Sequence, residues 1–186
     1  MGFQKNEIEI KFKILNSSQL DKIKEVLDSI CDKKLDRVFE KTIRFDTKDM
    51  FLEKHNKFIR VRSGYKNSIT FKKKIVTSYF KEREETEFEI EDIEKMTKIL
   101  NELGFDNNLI MEKYRQKWIV GDLEIVIDEL PFGIFIEIEG EKEDITKMIE
   151  KLDLKSSESS NLTYWDIWDK LRSKDSRLSK SIIFDN

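Results

Sequence analysis

One cysteine, one proline, one histidine and six glycines are all that the 186 residues contain of those types. The single cysteine, Cys31, excludes an intramolecular disulfide and removes any sequence argument for an oxidising compartment. There is no run of about 18 apolar residues, so no membrane-spanning helix is expected. The first residues lack the apolar stretch of a secretion signal, and Asn6 stands where a myristoylation motif requires Ser or Thr. The formal net charge of -3 gives no bulk attraction to nucleic acid or to anionic membrane. These absences lead us to expect a cytoplasmic protein whose partners include neither nucleic acid nor membrane; the expected assembly is a monomer or homodimer.

What is abundant is charge. Charged residues make up 39% of the chain against about a quarter in an average domain, and hydrophobic residues only 38%. Such a surplus needs a solvated exterior, a charged cavity, or both. Thirteen phenylalanines and clear periodicities argue against disorder. The length suits a single domain over 1–173, with 174–186 as a loosely held tail in which Ile182, Ile183 and Phe184 could dock. Alternation predicts strands over 3–15, 35–46, 58–63, 68–74, 79–90, 109–120, 123–130 and 134–139. Helical spacing appears after Ser17 or Ser18, over 92–103 before Gly104, over 143–152 and around 162–171. The fold class is α+β, with a largely antiparallel sheet of about eight strands that could close into a barrel.

The charges fall in a pattern. In Glu7-Ile8-Glu9-Ile10-Lys11 the strand period puts Glu7, Glu9 and Lys11 on one side, and Ile8, Ile10 and Phe12 on the other. Like-charged pairs two residues apart recur at Arg60/Arg62, Glu85/Glu87 and Glu137/Glu139. By the same alternation Lys72 sits with Thr70, Arg83 with Glu85, Lys113 with Arg115, and Asp128 with Glu124. Like charges this close repel, and a counterion between them relieves the cost. Acid pairs suit divalent cations and basic pairs suit phosphate, so a chain with both suits a metal-bound polyphosphate. Period two alone is equally consistent with a charged face in solvent and with the inside of a barrel.

The residues themselves resemble a known family. Glu7-Ile8-Glu9-Ile10-Lys11 matches the ExExK signature that opens the CYTH proteins, also called triphosphate tunnel metalloenzymes. Ile59-Arg60-Val61-Arg62 resembles the LRxR strand, Thr70-Phe71-Lys72 the lysine strand, and Arg83-Glu84-Glu85-Thr86-Glu87 the RxExE strand. Glu112-Lys113-Tyr114-Arg115 fits the KxR strand, and Asp128 with Phe135-Ile136-Glu137-Ile138-Glu139 resembles the closing aspartate and ExE pair. Asn161-Leu162-Thr163-Tyr164 looks like the family's C-terminal Ser/Thr-Tyr stretch. Ile59 stands for the usual Leu, and Lys73 stands where many relatives carry Gly.

The resemblance implies an eight-stranded antiparallel β-barrel with peripheral helices, enclosing a triphosphate and Mg2+ or Mn2+. It makes Lys11, Arg60, Arg62, Lys72, Arg83, Lys113 and Arg115 the phosphate clamp. It makes Glu7, Glu9, Glu85, Glu87, Asp128, Glu137 and Glu139 the metal ligands, and Glu7, Glu9 and Lys11 the catalytic candidates. The implied activity is metal-dependent hydrolysis of inorganic tripolyphosphate, thiamine triphosphate or a nucleoside triphosphate. The alternatives are a class IV adenylyl cyclase, making cAMP and pyrophosphate from ATP, and a non-catalytic polyphosphate or nucleotide binder. Elsewhere plainer roles are expected: His55 in a polar turn, Trp165 and Trp168 packing in the core, and Lys73 and Lys74 on a solvated rim.

Overall fold

Alternating side chains give each strand one apolar and one polar face, and the molecule arranges those faces unusually: the apolar ones point outward. A computed structural model describes residues 5–77 and 81–185, with the side chains of 5–7, 74–77, 81–84 and 107 outside the described set. In chain order the elements are β1 (Lys5–Ile14), α1 (Ser17–Ile30), β2 (Lys33–Asp46), α2 (Phe51–Lys54), β3 (Lys57–Ser63), β4 (Ser68–Thr77), β5 (Lys81–Glu89) and α3 (Ile93–Glu102). β6 (Asn107–Val120), β7 (Leu123–Leu130), β8 (Gly133–Glu139), α4 (Lys142–Lys151), a two-residue β9 (Ser159–Ser160) and α5 (Tyr164–Arg172) follow.

The sheet runs β5-β4-β3-β2-β6-β7-β8-β1-β9, and a further pairing joins β5 to β1. The named strand pairs are all antiparallel. β1 is the strand on which the barrel-like arrangement turns. One edge pairs with β8 from Glu9 to Ile14, while the other pairs with β5 over Lys5–Glu9 and with β9 at Lys11 and Phe12.

The main apolar core lies between the outer face of this sheet and two helices. Ile10, Phe12, Ile125, Ile127, Ile136 and Ile138 pack beneath Ile23 and Leu27 of α1 and Ile145 and Met148 of α4. α1 starts one residue earlier than a serine cap would allow, because Asn16 accepts the Gln19 N–H at 2.9 Å. A second cluster sets Leu100 of α3 over Phe45 and Val61.

A third cluster corrects the expectation of a loose tail. Ile182 is fully buried with Met111, Tyr164 and Trp168. Its N–H donates to the Ile110 carbonyl at 2.8 Å, and its own carbonyl accepts from the Glu112 N–H at 2.7 Å. β7 reaches back along β6 only as far as Tyr114, so the segment around Ile182 pairs where β7 has ended. Trp168 Nε1 ties α5 to the same segment through the Ser179 carbonyl at 2.9 Å.

Ile182→Ala should therefore destabilise the protein by about 3 kcal/mol, the usual cost of emptying a buried isoleucine site. Urea denaturation checks this, and a loss below about 0.5 kcal/mol would mean that the segment does not contribute to the core.

A candidate active site inside the barrel

The polar faces of the eight long strands enclose a cavity of about 840 Å³. Eleven of the fourteen residues expected from the sequence line it: Glu9, Lys11, Arg60, Arg62, Lys72, Glu85, Glu87, Lys113, Arg115, Glu137 and Glu139. Asp128 stands in its wall with no exposed surface. The side chains of Glu7 and Arg83 lie outside the described residues, although their backbones face each other across β1 and β5.

These side chains are wired into one ionic network. Lys11, only 2% exposed, lies 2.7 Å from Glu137, with its Nζ 4.2 Å above the Tyr164 ring. Arg115 grips Asp128 with two donors at 2.7 and 2.6 Å and reaches Glu137 at 2.8 Å. Lys113 and the Tyr164 hydroxyl donate to the same Asp128 oxygen at 3.0 and 2.9 Å. On the opposite wall Lys72 meets Glu85 at 2.5 Å, and Arg60 lies 3.7 Å from that acid. Arg62 and Thr70 share one oxygen of Glu87, at 3.2 and 2.6 Å.

Between the walls sits a residue the motif reading missed. Glu40 of β2 is buried, 3.3 Å from Lys113 and 3.9 Å from Arg62. Burial favours its neutral form, but Lys113, Arg115, Arg62 and Arg60 outweigh this and bring its pKa down to about 2. Burial, and then Arg115, lower the pKa of Lys113. Burial and the nearby Arg60 lower that of Arg62. Arg115 moves the other way: burial opposes its charge, yet Asp128, Glu40 and Glu137 hold it firmly protonated. Burial, followed by the charge of Asp128, raises Tyr164 and keeps its phenol neutral as a donor.

β2 contributes Thr42 and Arg44 to the lining as well, both on the Glu40 face. The opposite side of the strand carries Ile43 and Phe45, which pack in the cluster with Leu100. Lys117 and Glu124, 2.6 Å apart, extend the lining on β6 and β7. Glu53 and Asn56 reach it from the β2–β3 connection, and Phe58 from the Arg60 face of β3. Asp46, itself buried, shapes that connection by accepting the N–H groups of Thr47, Leu52 and Glu53 at 2.8 to 2.9 Å. Trp165 packs partly on the third apolar cluster as expected, but it also lines the cavity, whereas Trp168 is core. His55 bonds the Phe51 carbonyl at 2.6 Å and takes no part in the cavity.

The strand register sets three acids abreast, Glu9 on β1, Glu139 on β8 and Glu124 on β7, all lining the cavity. Opposed carboxylates on neighbouring strands repel, and their hard oxygens suit Mg2+ or Mn2+. Among the described residues no three acids converge tightly enough to cage an ion by themselves. That fits a cation drawing its other ligands from water and from a polyphosphate.

Comparison with known proteins agrees with this architecture. The CYTH domain model matches residues 5–164. A Methanocaldococcus jannaschii protein named "Putative adenylate cyclase" is 32% identical over 151 residues, spanning 78% of this chain and 85% of its own length. A Pyrococcus horikoshii structure superposes with a TM-score of 0.70 at 26% identity, covering 89% of this chain and 99% of the other. A Hippeastrum protein described as a "putative adenylyl cyclase" with a dominant triphosphatase activity has a TM-score of 0.64 at 18% identity, covering 91% of this chain and 96% of the other.

The Glu40 pKa yields a signed expectation. Because it falls from 4.5 to about 2 on folding, its stabilisation is complete above about pH 4.5 and fades as the pH drops toward 2. Glu40→Gln should cost about 3 kcal/mol at pH 7 and less than half of that at pH 3, from ~1.4 kcal/mol per pKa unit. Urea titrations at the two pH values decide it, and equal losses at both would contradict the assignment.

Proposed function

The chain belongs to the CYTH family, and from that premise we propose that it hydrolyses a triphosphate inside the barrel with a divalent metal. The observation that carries this reading is the composition of the cavity wall. Nine lysines and arginines and eight carboxylates line one enclosure, a mixture suited to an anion bound together with cations and to little else. The substrate would be inorganic tripolyphosphate, thiamine triphosphate or a nucleoside triphosphate.

In this reading Lys11, Arg60, Arg62, Lys72, Arg83, Lys113 and Arg115 bind phosphoryl oxygens. The arginines offer planar forks, and the lysines offer point charges. Asp128, with its oxygens already taken by Lys113, Arg115 and Tyr164, keeps two of those bases aimed into the cavity. Glu7, Glu9, Glu85, Glu87, Glu137 and Glu139 are the remaining acids for Mg2+ or Mn2+, with Glu9 and Glu139 the pair that register brings face to face. A divalent cation held there would supply charge neutralisation and would acidify a bound water. Glu7 or Glu9 orients the attacking water, and Lys11 neutralises charge on the phosphoryl group. The water oxygen bonds to the terminal phosphorus as the bridging P–O bond breaks with its electron pair on the leaving oxygen, and the proton that the water loses passes to bulk solvent. Rate enhancement then comes from positioning and from the preorganised cations around the departing charge.

Cyclisation of ATP is the second reading, favoured by the name of the M. jannaschii relative. It would use the same clamp but direct the ribose 3′-OH to the α-phosphorus. Phe58 and Trp165 on the lining offer apolar area to a base.

Incubation with each triphosphate, with Mg2+ and Mn2+ supplied separately, should release phosphate, and EDTA should abolish the release. Formation of cAMP and pyrophosphate from ATP would replace hydrolysis by the cyclase reading, and binding without turnover would reduce the protein to a binder. Arg115→Ala should lower kcat/KM about 100-fold or more, the scale of losing one preorganised charge. A change under about threefold would remove Arg115 from the clamp.

A further inference from the structure

Two buried acids face the bases of the tunnel, and they are built differently. Asp128 is bound directly by Arg115, Lys113 and the Tyr164 hydroxyl at 2.6 to 3.0 Å. Among the described residues Glu40 makes only the longer approaches to Lys113 and Arg62, at 3.3 and 3.9 Å. Arg62 and Lys113 line the cavity, whereas Glu40, on the inward face of β2 beside them, is 3% exposed and does not. Gly64, in the turn after β3, closes over it: a Cβ there would lie 3.2 Å from the Glu40 Cγ. The chain thus keeps one carboxylate buried beside its cationic cluster, held less tightly among the described residues than the other.

We infer that Glu40 is a built-in counter-anion, which balances Arg62 and Lys113 when no polyphosphate is bound and weakens polyphosphate binding by repelling it. This rests on reading the cavity as a polyphosphate site. Without ligand, Arg60, Arg62, Lys113 and Arg115 repel one another in a poorly solvated space, and Glu40 is a charge common to all four. A phosphate entering on the cavity side brings the same neutralisation from the front. Glu40 is then surplus, and its charge acts against the ligand. The residue exchanges affinity for stability of the ligand-free fold.

The test compares Glu40→Gln, which keeps shape and removes charge, with Glu40→Asp, which keeps charge and removes a methylene. Inorganic tripolyphosphate is titrated calorimetrically into each protein in EDTA, and each is melted with and without it. Glu40→Gln should bind about tenfold tighter than the natural protein, the order expected for removing one unit charge in a half-screened interior. It should melt lower alone, and tripolyphosphate should raise its Tm by more than it raises that of the natural protein. Glu40→Asp should stay within about threefold of the natural affinity.

Unchanged or weaker binding by Glu40→Gln, beside normal binding by the natural protein, overturns the inference and leaves the functional reading intact. A Glu40→Gln protein that stays unfolded even in tripolyphosphate also overturns it, since the anion would then be unable to replace the carboxylate. Failure of the natural protein to bind tripolyphosphate in EDTA overturns the inference, and failure with Mg2+ present as well removes the functional reading too.

Discussion

Lys11 is almost entirely out of water, and Glu137 stands 2.7 Å away as its counter-charge. The same condition applies around the whole interior. An ion taken out of water costs several kcal/mol unless a partner and hydrogen bonds replace its hydration. A barrel lined by charges of one sign would therefore not close. The two signs are distributed so that these bases find acids on the next strand or the one beyond it: Lys72 with Glu85, Arg62 with Glu87, Arg115 with Asp128 and Glu137.

Such pairs contribute little net stability, because desolvation consumes most of their attraction. The fold is stabilised mainly from outside the ring. Isoleucines of β1, β7 and β8 pack under α1 and α4, with smaller clusters beneath α3 and beside α5. This division frees the interior from the demand for close packing that an apolar core imposes. The space that remains can hold a ligand, and the surrounding shell keeps the charges in place.

Much of this was legible from alternation. The inward face of β1, β3, β6 and β8 follows from period two, and the order of the motifs indicated that the face was enclosed. What stayed hidden depended on contacts that alternation does not encode. Glu40 belongs to no like-charged pair two residues apart, and only its register opposite Lys113, with Arg62 opposite the next inward residue Thr42, reveals its surroundings. Phe58 shares the Arg60 and Arg62 face of β3 by the same alternation, whereas Trp165 reaches the cavity on a helix anchored by Trp168, a tertiary fact. That Ile182 could dock was legible, but a short apolar run does not say where.

The pairing of Ile182 with β6 has a consequence for biosynthesis. The contact between Ile110 and Ser181 spans 71 residues of chain. At about 5–20 residues per second a ribosome needs roughly 4–14 s to make that stretch. Throughout that interval the first half of β6 emerges with one flank lacking its eventual neighbour, and bare strand flanks invite association between nascent chains. A chaperone that shields this flank until translation has passed residue 182 would raise the yield of correctly assembled protein, more so as elongation slows.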